Sequence, residues 1–402
     1  MKMCQHAALF IGATIILFSA PMQSAEAVEV RFNAFADVTV GYSFDDLANA
    51  KDAARQESDG LDTFAFNVNE GFGVVGTDFV VTADLTENLV YQAEVNLQVG
   101  RGGSSDVGLD LERMYLDYRI SDAINIQAGL YFTPIGYHNR FLYSRAWLVY
   151  SIQVHDIFEE EMNLVPTHTV GVNLHGSLKL MDQKFKYVVG LGNSRQSTPT
   201  EVALARARTT FSEGDLEVTA LIEWHAPMDD TLTIGLSGWT SGIRTVVAPG
   251  LGGTADLSTD PKASLREYGF NPYLTYLGAD FNVIIEGVYS VLHDRKGNLA
   301  KKHNDGVGAL TAEVSLNLMN GRMHPYLRYD RTWLPSPSED TYYGFRRDGD
   351  EITQHYVAEF DALMVGMAFD WNANTRLKLE GQHHFSGIRR AWGASAQIAF
   401  GF

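Results

Sequence analysis

The sequence predicts an all-β fold: a transmembrane antiparallel β-barrel of about 16 strands, with short turns at one rim and long loops at the other. Apolar and polar residues alternate along most of the chain, and the connections between the alternating runs are short and long in turn. The chain also contains 37 glycines, 22 phenylalanines and 18 tyrosines, which suits strands joined by turns. After the first 27 residues there is no apolar run of about 18 residues, the length that a membrane-spanning helix needs.

Residues 1–27 have the pattern of an export signal. Lys2 precedes an apolar stretch that runs from Ala7 to Met22, and Ala25-Glu26-Ala27 has the small-x-small form that signal peptidase cleaves. We therefore expect residues 28–402 to form the mature barrel. Cys4 is the single cysteine and lies within this signal, so the mature chain offers neither a disulfide nor a thiolate metal ligand.

The net charge of −18 is the same before and after cleavage, because residues 1–27 contain one lysine and one glutamate. Such an acidic chain argues against nucleic acid as a partner, since phosphate backbones are bound by excess positive charge.

The alternating runs define the predicted strands. Successive side chains of a strand face opposite sides of the sheet, and the run from Val28 to Tyr42 has apolar residues at every second position. In lipid, backbone groups must pair with one another, so such a sheet has to close into a barrel. The predicted strands are 28–42, 70–85, 89–99, 111–120, 124–132, 167–178, 184–193, 214–226, 231–240, 268–279, 283–292, 307–317, 323–332, 356–370, 376–385 and 389–402.

The connections support the same fold. Short turns such as Thr86-Glu87-Asn88 and Asn320-Gly321 alternate with long loops, of which 133–166 is the longest. Bacterial outer-membrane barrels have an even number of strands, short periplasmic turns and long external loops, which is the arrangement expected here.

Alternation alone does not distinguish a membrane barrel from a soluble one. Two sets of charged residues occupy the polar positions of predicted strands, where a dry core would bury them at high cost: Arg113, Asp117 and Arg119, and Arg376, Lys378 and Glu380. They favour a barrel with water inside. A soluble β-sandwich or a secreted β-solenoid is the alternative.

The C-terminal run Ala396-Gln397-Ile398-Ala399-Phe400-Gly401-Phe402 resembles the signature by which outer-membrane proteins are recognised for insertion. Together with the export signal and the alternating connections, it makes the whole mature chain similar to bacterial porins of the Gram-negative type. Two shorter segments, Ala128–Gly136 and Arg322–Asp330, resemble the phosphate-selective porin-like family.

The resemblance implies an outer-membrane protein that is not an enzyme, has no cofactor, and lets small hydrophilic solutes or ions diffuse through a water-filled barrel. It also implies a homotrimer, contact with outer-membrane lipid and lipopolysaccharide, and recognition of Phe402 by the barrel-assembly machinery. The acidic loops 43–69 and 333–355 could bind lipopolysaccharide through divalent ions, although a solvated surface explains them as well.

Porins fold an external loop, usually the third, into the lumen, which here implicates loop 133–166. Fixed charges at the narrowest point of a pore select the solutes that pass. The candidate pore-lining residues are Arg140, Arg145, Glu159, Glu160 and Glu161 in the loop, and Arg113, Asp117, Arg119 and Arg328 on the wall. The alternative for the three glutamates is an external loop that they merely solvate.

Phosphate-selective porins line their pore with a ladder of arginines and lysines, and this acidic sequence has no comparable run. A weak preference for cations is therefore expected. The alternative functions are a non-conducting barrel that acts as an adhesin or receptor through its loops, and an outer-membrane hydrolase, for which no G-x-S-x-G motif is present. His383 and His384 face opposite sides of one predicted strand, which disfavours a shared metal ion.

Overall fold

The structure, a computed structural model, describes residues 28–45, 71–73, 77–99, 107–142, 147–152, 164–181, 183–194, 196–197, 204–205, 216–226, 231–244, 264–294, 304–333, 346–348, 351–354, 360–386 and 391–402. They form a closed antiparallel barrel of 16 long strands. The strands are β1 Glu29–Asp45, β2 Thr77–Thr86, β3 Leu89–Val99, β4 Val107–Arg119, β5 Asn125–Phe132, β6 His168–Leu180, β7 Gln183–Asn193, β8 Leu216–His225, β9 Leu232–Arg244, β10 Ser264–Leu277, β11 Phe281–Asp294, β12 Asn304–Leu316, β13 Met323–Trp333, β14 Phe360–Asn372, β15 Thr375–Ser386 and β16 Ala391–Gly401.

Each long strand pairs with its neighbours in sequence, and β16 pairs with β1 to close the sheet. At this seam Val38 lies opposite Ile398. The last residue continues the pairing, because the Ala34 amide donates to the Phe402 carbonyl at 3.1 Å and the Phe402 amide donates back at 2.8 Å. Closure leaves the barrel without a free edge, as a sheet surrounded by lipid requires.

The predicted fold class is confirmed, and each of the 16 predicted spans overlaps one of the 16 long strands. The largest departure is the second span, 70–85. The short strand Gly71–Gly73 pairs with β1 above the point where β2 begins at Thr77. Pro272, which lacks an amide hydrogen, lies within β10 opposite Leu236 and faces outward without ending the strand.

The described residues include four further short strands, which form two antiparallel pairs. Gln196–Ser197 pairs with Leu204–Ala205, and Arg346–Asp348 pairs with Glu351–Gln354. A single π-helical turn, His138–Leu142, follows β5. Within the ranges given above, no helix is both long and apolar enough to cross a membrane.

The two faces of the barrel have the polarity opposite to that of a soluble protein. On β8, Val218 and Ile222 are exposed, with Ile222 at 53 %, whereas Glu217, Thr219 and Glu223 face inward and are buried. The same alternation recurs around the barrel. Burial of carboxylates and exposure of large aliphatic side chains are unfavourable in water, and both become favourable when lipid surrounds a polar interior.

Two tyrosines on the inner face lie over glycines of the neighbouring strand. Tyr326 is opposite Gly366, where a Cβ would lie 2.2 Å from the tyrosine hydroxyl oxygen. Tyr273 is opposite Gly235, where a Cβ would lie 2.1 Å from the ring. Glycine is therefore required at both positions for the rings to lie against the sheet.

Candidate functional site

The third loop begins at Thr133, directly after β5, and its described parts are 133–142, 147–152 and 164–167. Its two ends are held together at the wall. The Thr133 amide donates to the Thr167 carbonyl at 2.9 Å, and the Asn139 side-chain amide donates to the carbonyls of both residues, at 2.8 Å and 3.1 Å. Asn139 is fully buried. The base of the loop is thus a fixed part of the barrel interior.

The first described part of the loop contacts the inner face of β9 and β11. The Gly136 amide donates to the Ser237 hydroxyl at 2.9 Å. The amides of Tyr137 and His138 donate to the Glu286 carboxylate at 3.2 Å and 3.0 Å, and His138 Nδ1 lies 2.7 Å from the same group. These strands are far from β5 along the barrel, so the chain reaches a distant part of the wall.

Arg140, in the π-helical turn, contacts β8. Its guanidinium donates to Glu223 at 2.7 Å and to the Tyr273 hydroxyl at 3.3 Å, and Tyr273 also donates to Glu223. The guanidinium stacks on Phe141, 4.6 Å from the ring centre. Burial, with a smaller contribution from nearby glutamates, raises the pKa of Tyr137 to about 12, so this phenol keeps its proton at neutral pH.

The second described part, 147–152, contacts β15. Three inward-facing side chains bond its main chain: Arg376 donates to the Trp147 carbonyl at 2.7 Å, Lys378 donates to the Ser151 carbonyl at 2.9 Å, and Glu380 accepts from the Ile152 amide at 3.1 Å. The Tyr150 ring stacks on His324 of β13, with 4.2 Å between ring centres.

Among the described residues, cavities lie between this loop and the wall, and two of them are lined by residues of both. One, of about 220 Å³, lies against β4–β7; it is lined by Arg113, Tyr115, Gln127, Tyr131, Phe132, Pro134, Arg140, Phe141, Asn173, His175 and Val188. The other, of about 270 Å³, lies against β10–β12 and is lined by Tyr137, Leu142, Leu148, Val149, Tyr150, Leu277, Asn282, Ile284, Glu313 and Ser315. The first therefore carries positive side chains, and the second has one carboxylate among mainly apolar groups.

The predicted pore-lining residues of the wall are dispersed. Arg113 pairs with Glu94, at 2.6 Å. Asp117 lies 3.2 Å from His175. Arg119 is exposed at the end of β4, where its amide bonds the carbonyl of the turn residue Asn88.

Arg328 is fully buried in β13, with its guanidinium 2.9 Å from Asp330. Of the predicted residues, Arg113 and Arg140 line the same cavity. Arg145, Glu159, Glu160 and Glu161 lie outside the described residues. On β15, His384 is buried inside, whereas His383 is on the outer face, stacked on Trp392.

The sequence pattern did not single out the glutamates that contact the loop. Glu286 and Glu380 occupy inward positions, as do many other polar residues, and nothing local marks them as partners of a segment more than a hundred residues away. One missed feature did leave a local signal. Glu94 pairs with Arg113 and Val95 with Leu111, so a bulge at Glu112 places two consecutive residues inside. The apolar positions of β4 change phase at this point.

No protein-family profile matches the chain, and no curated protein matches it either. Solved structures do resemble it. One is an anion-selective porin from Comamonas acidovorans, with a TM-score of 0.58 and 12% identity over 93% of this chain and 100% of that one. Another is the outer-membrane channel DcaP of Acinetobacter baumannii, with a TM-score of 0.56 and 10% identity over 95% of this chain and 100% of that one. The structure of OmpT of Vibrio cholerae in a trimer form has a TM-score of 0.54 and is 11% identical, and the match covers 94% of this chain and 100% of that one. At these identities the similarity concerns the fold, and by that measure the chain has the barrel fold of outer-membrane porins and channels.

Proposed function

We propose that the mature chain, residues 28–402, is an outer-membrane porin through which small hydrophilic solutes or ions diffuse passively. The polarity of the barrel carries this proposal. Exposed aliphatic side chains such as Ile222 and Val365 cover the outer face, while ionisable residues such as Glu223 and Lys378 face inward. An outer face of this kind is stable in lipid, and an inner face of this kind is stable beside water.

The third loop is proposed to form the constriction of the channel. In support, its described parts contact the inner face at β8, β9 and β11 on one side and at β15 on the other. Arg113 and Arg140 are proposed to line the narrow passage, and Arg145 with Glu159–Glu161 to complete its charges. Charged groups at a constriction favour or disfavour solutes according to their charge.

The remaining parts of the proposal concern location and partners. The export signal at residues 1–27 would direct the chain to the outer membrane, where lipid and lipopolysaccharide surround it. Phe402, exposed at the end of β16, would be recognised during assembly. The trimer form of the Vibrio cholerae OmpT structure supports a homotrimer. No phosphate specificity is proposed, because the inward-facing arginines Arg113 and Arg328 are each paired with an acidic residue.

Planar-bilayer recording tests the proposal. Residues 28–402 would be refolded in detergent and added to one side of a bilayer, with the same preparation after heat denaturation as the control. Stepwise increases in current are expected from the folded protein and not from the denatured one. Folded, inserted protein that gives no steps would contradict a porin and favour an adhesin or receptor. Hydrolysis of lipid or peptide by the folded barrel would favour an enzyme.

A further inference from the structure

We propose that Glu286 and Glu380 are positioning residues, which hold the described parts 133–142 and 147–152 of the third loop against two sides of the channel and thereby set the width of the passage. This inference rests on the proposed function and adds how the constriction is maintained. It is carried by three features of the described residues: the surroundings of Glu286, the close approach of Gly136, and the ladder of charges on β15.

The Glu286 carboxylate is surrounded by hydrogen-bond donors, most of them from the third loop. Its side chain is fully buried, and each of its oxygens accepts two hydrogen bonds. Oε1 accepts from the Tyr137 amide at 3.2 Å and from Asn271 at 2.8 Å; Oε2 accepts from the His138 amide at 3.0 Å and lies 2.7 Å from His138 Nδ1. A buried carboxylate is stable only with such partners, and three of these four come from the loop.

Gly136 allows the loop to come this close. Its φ of +63° lies in the left-handed region, and a Cβ there would be 1.7 Å from Glu286 Oε1 and 2.8 Å from the Asn271 side-chain oxygen. Any larger residue would push the loop off the wall. The position of the Gly136 backbone is further fixed by the bond from its amide to Ser237, at 2.9 Å.

The second attachment uses a ladder of charges on β15. Arg376, Lys378 and Glu380 alternate along one strand, so all three face inward. They bond the main chain of the loop at Trp147, Ser151 and Ile152. The Tyr326 hydroxyl also donates to Glu380, at 2.6 Å, and fixes the orientation of this carboxylate.

Both attachments act on loop main-chain groups that would otherwise bond to water in a wet channel. A loop attached in this way to two separate parts of the barrel wall forms a fixed constriction. Loss of either carboxylate frees main-chain amides of the loop on that side, and the loop can then move away from the wall. The passage should become wider on average, and its width should fluctuate.

The experiment compares Glu286→Gln, Glu380→Gln and the matched control Glu267→Gln in single-channel recordings. Glu267 is also a fully buried, inward-facing glutamate, on β10, and it accepts a bond from Ser290 of β11 at 3.0 Å. Each anchor variant should show an open-channel conductance roughly 1.5- to 2-fold higher, with larger current noise, because ion flow follows pore width. The control should keep the wild-type conductance and noise.

Cross-linking provides a second measurement on the same contact. Since the mature chain has no cysteine, His138→Cys combined with Glu286→Cys would introduce the only two thiols. The reduced double variant should show the raised conductance and noise, and a short bifunctional thiol reagent should return both toward wild-type values. Folding of each variant would be checked by its mobility on an unheated detergent gel.

Wild-type conductance and noise in both folded anchor variants would overturn this inference and leave the porin proposal in place. The same holds for a cross-linked double variant that stays as noisy as its reduced form. A wild-type protein that inserts without conducting would contradict the porin proposal itself.

Discussion

Arg328 faces the barrel interior and is fully buried. Its surroundings explain how a charged side chain can be buried there. Its guanidinium is 2.9 Å from Asp330 on the same strand, and Glu313 lies opposite it on β12. A charged group that leaves water loses hydration, and only a close partner of opposite charge with good geometry offsets that loss. Removal of one partner therefore costs more than the pair itself contributes.

Arg328→Met should destabilise the barrel strongly, by about 3–5 kcal/mol, because Asp330 would be left as a buried carboxylate without its guanidinium. The urea concentration at the midpoint of unfolding measures the change in stability. Unfolding is monitored by the mobility shift of the barrel on unheated detergent gels. Arg331→Met is the matched control: Arg331 is on the outer face of the same strand, its side chain is 53% exposed, and its nearest carboxylate contact, with Asp361, is 3.6 Å long.

Exposed pairs of this length contribute less than about 1 kcal/mol, so the control should unfold close to wild type. An equal loss of stability in both variants would show that burial of the Arg328 ion pair is not what matters.

At the scale of strands, the sequence predicted the barrel because lipid dictates the residue type at every second position. The consequence is a local pattern, and β3 was predicted with its observed bounds, Leu89–Val99. The bulge at Glu112 and the division of the second span into Gly71–Gly73 and β2 are small departures within that pattern. They follow from pairing with neighbouring strands, which is not visible in a single run of residues.

The contacts of the third loop could not be predicted in the same way. Glu286 and His138 are 148 positions apart, and their contact depends on the curvature of the closed barrel. The resemblance to porins predicted that the third loop folds into the lumen, and the inward charges predicted Arg113 as a pore-lining residue. Which inward carboxylate accepts the loop amides is a property of three-dimensional packing, and the sequence around Glu286 resembles that of any other inward position.

The lipid-facing role of β14 can be tested by substitution. Val365 lies midway along the strand, on the outer face, and is 56% exposed. Val365→Arg should destabilise the folded barrel in lipid by about 2–4 kcal/mol, because an arginine near the middle of the bilayer must leave water. Unfolding in urea from lipid vesicles provides the measurement.

Leu180→Arg is the control for this prediction. Leu180 is also exposed on the outer face, but it is the last residue of β6, beside the turn at Met181. There the arginine reaches the interface, and the cost should fall to about 0–1 kcal/mol. Similar costs at the two depths would contradict a membrane-embedded outer face.

For the whole molecule, the distribution of charge bears on selectivity. The chain has a net charge of −18, and the two arginines of the first cavity are each paired with a buried glutamate: Arg113 with Glu94 and Arg140 with Glu223. These pairs cancel much of the positive potential that the arginines would otherwise give the passage. A channel with this charge distribution should attract cations slightly more than anions.

Reversal potentials in a salt gradient measure this preference. With potassium chloride, a modest potential of the sign expected for preferential potassium flow should be observed. The preference should weaken as the salt concentration rises, because screening shortens the range of fixed charges. A clear preference for chloride would show that Arg113 and Arg140 dominate the passage despite their partners.

The glycines opposite Tyr273 and Tyr326 affect how much of the barrel interior stays open. Because Gly235 and Gly366 have no side chains, the two aromatic rings rest on the sheet and take up little of the bore. A methyl group at either position would tilt a phenol toward the axis and reduce the area open to flow, without altering any charge. In the proposed channel, part of the open cross-section is therefore determined by two residues that contribute only backbone.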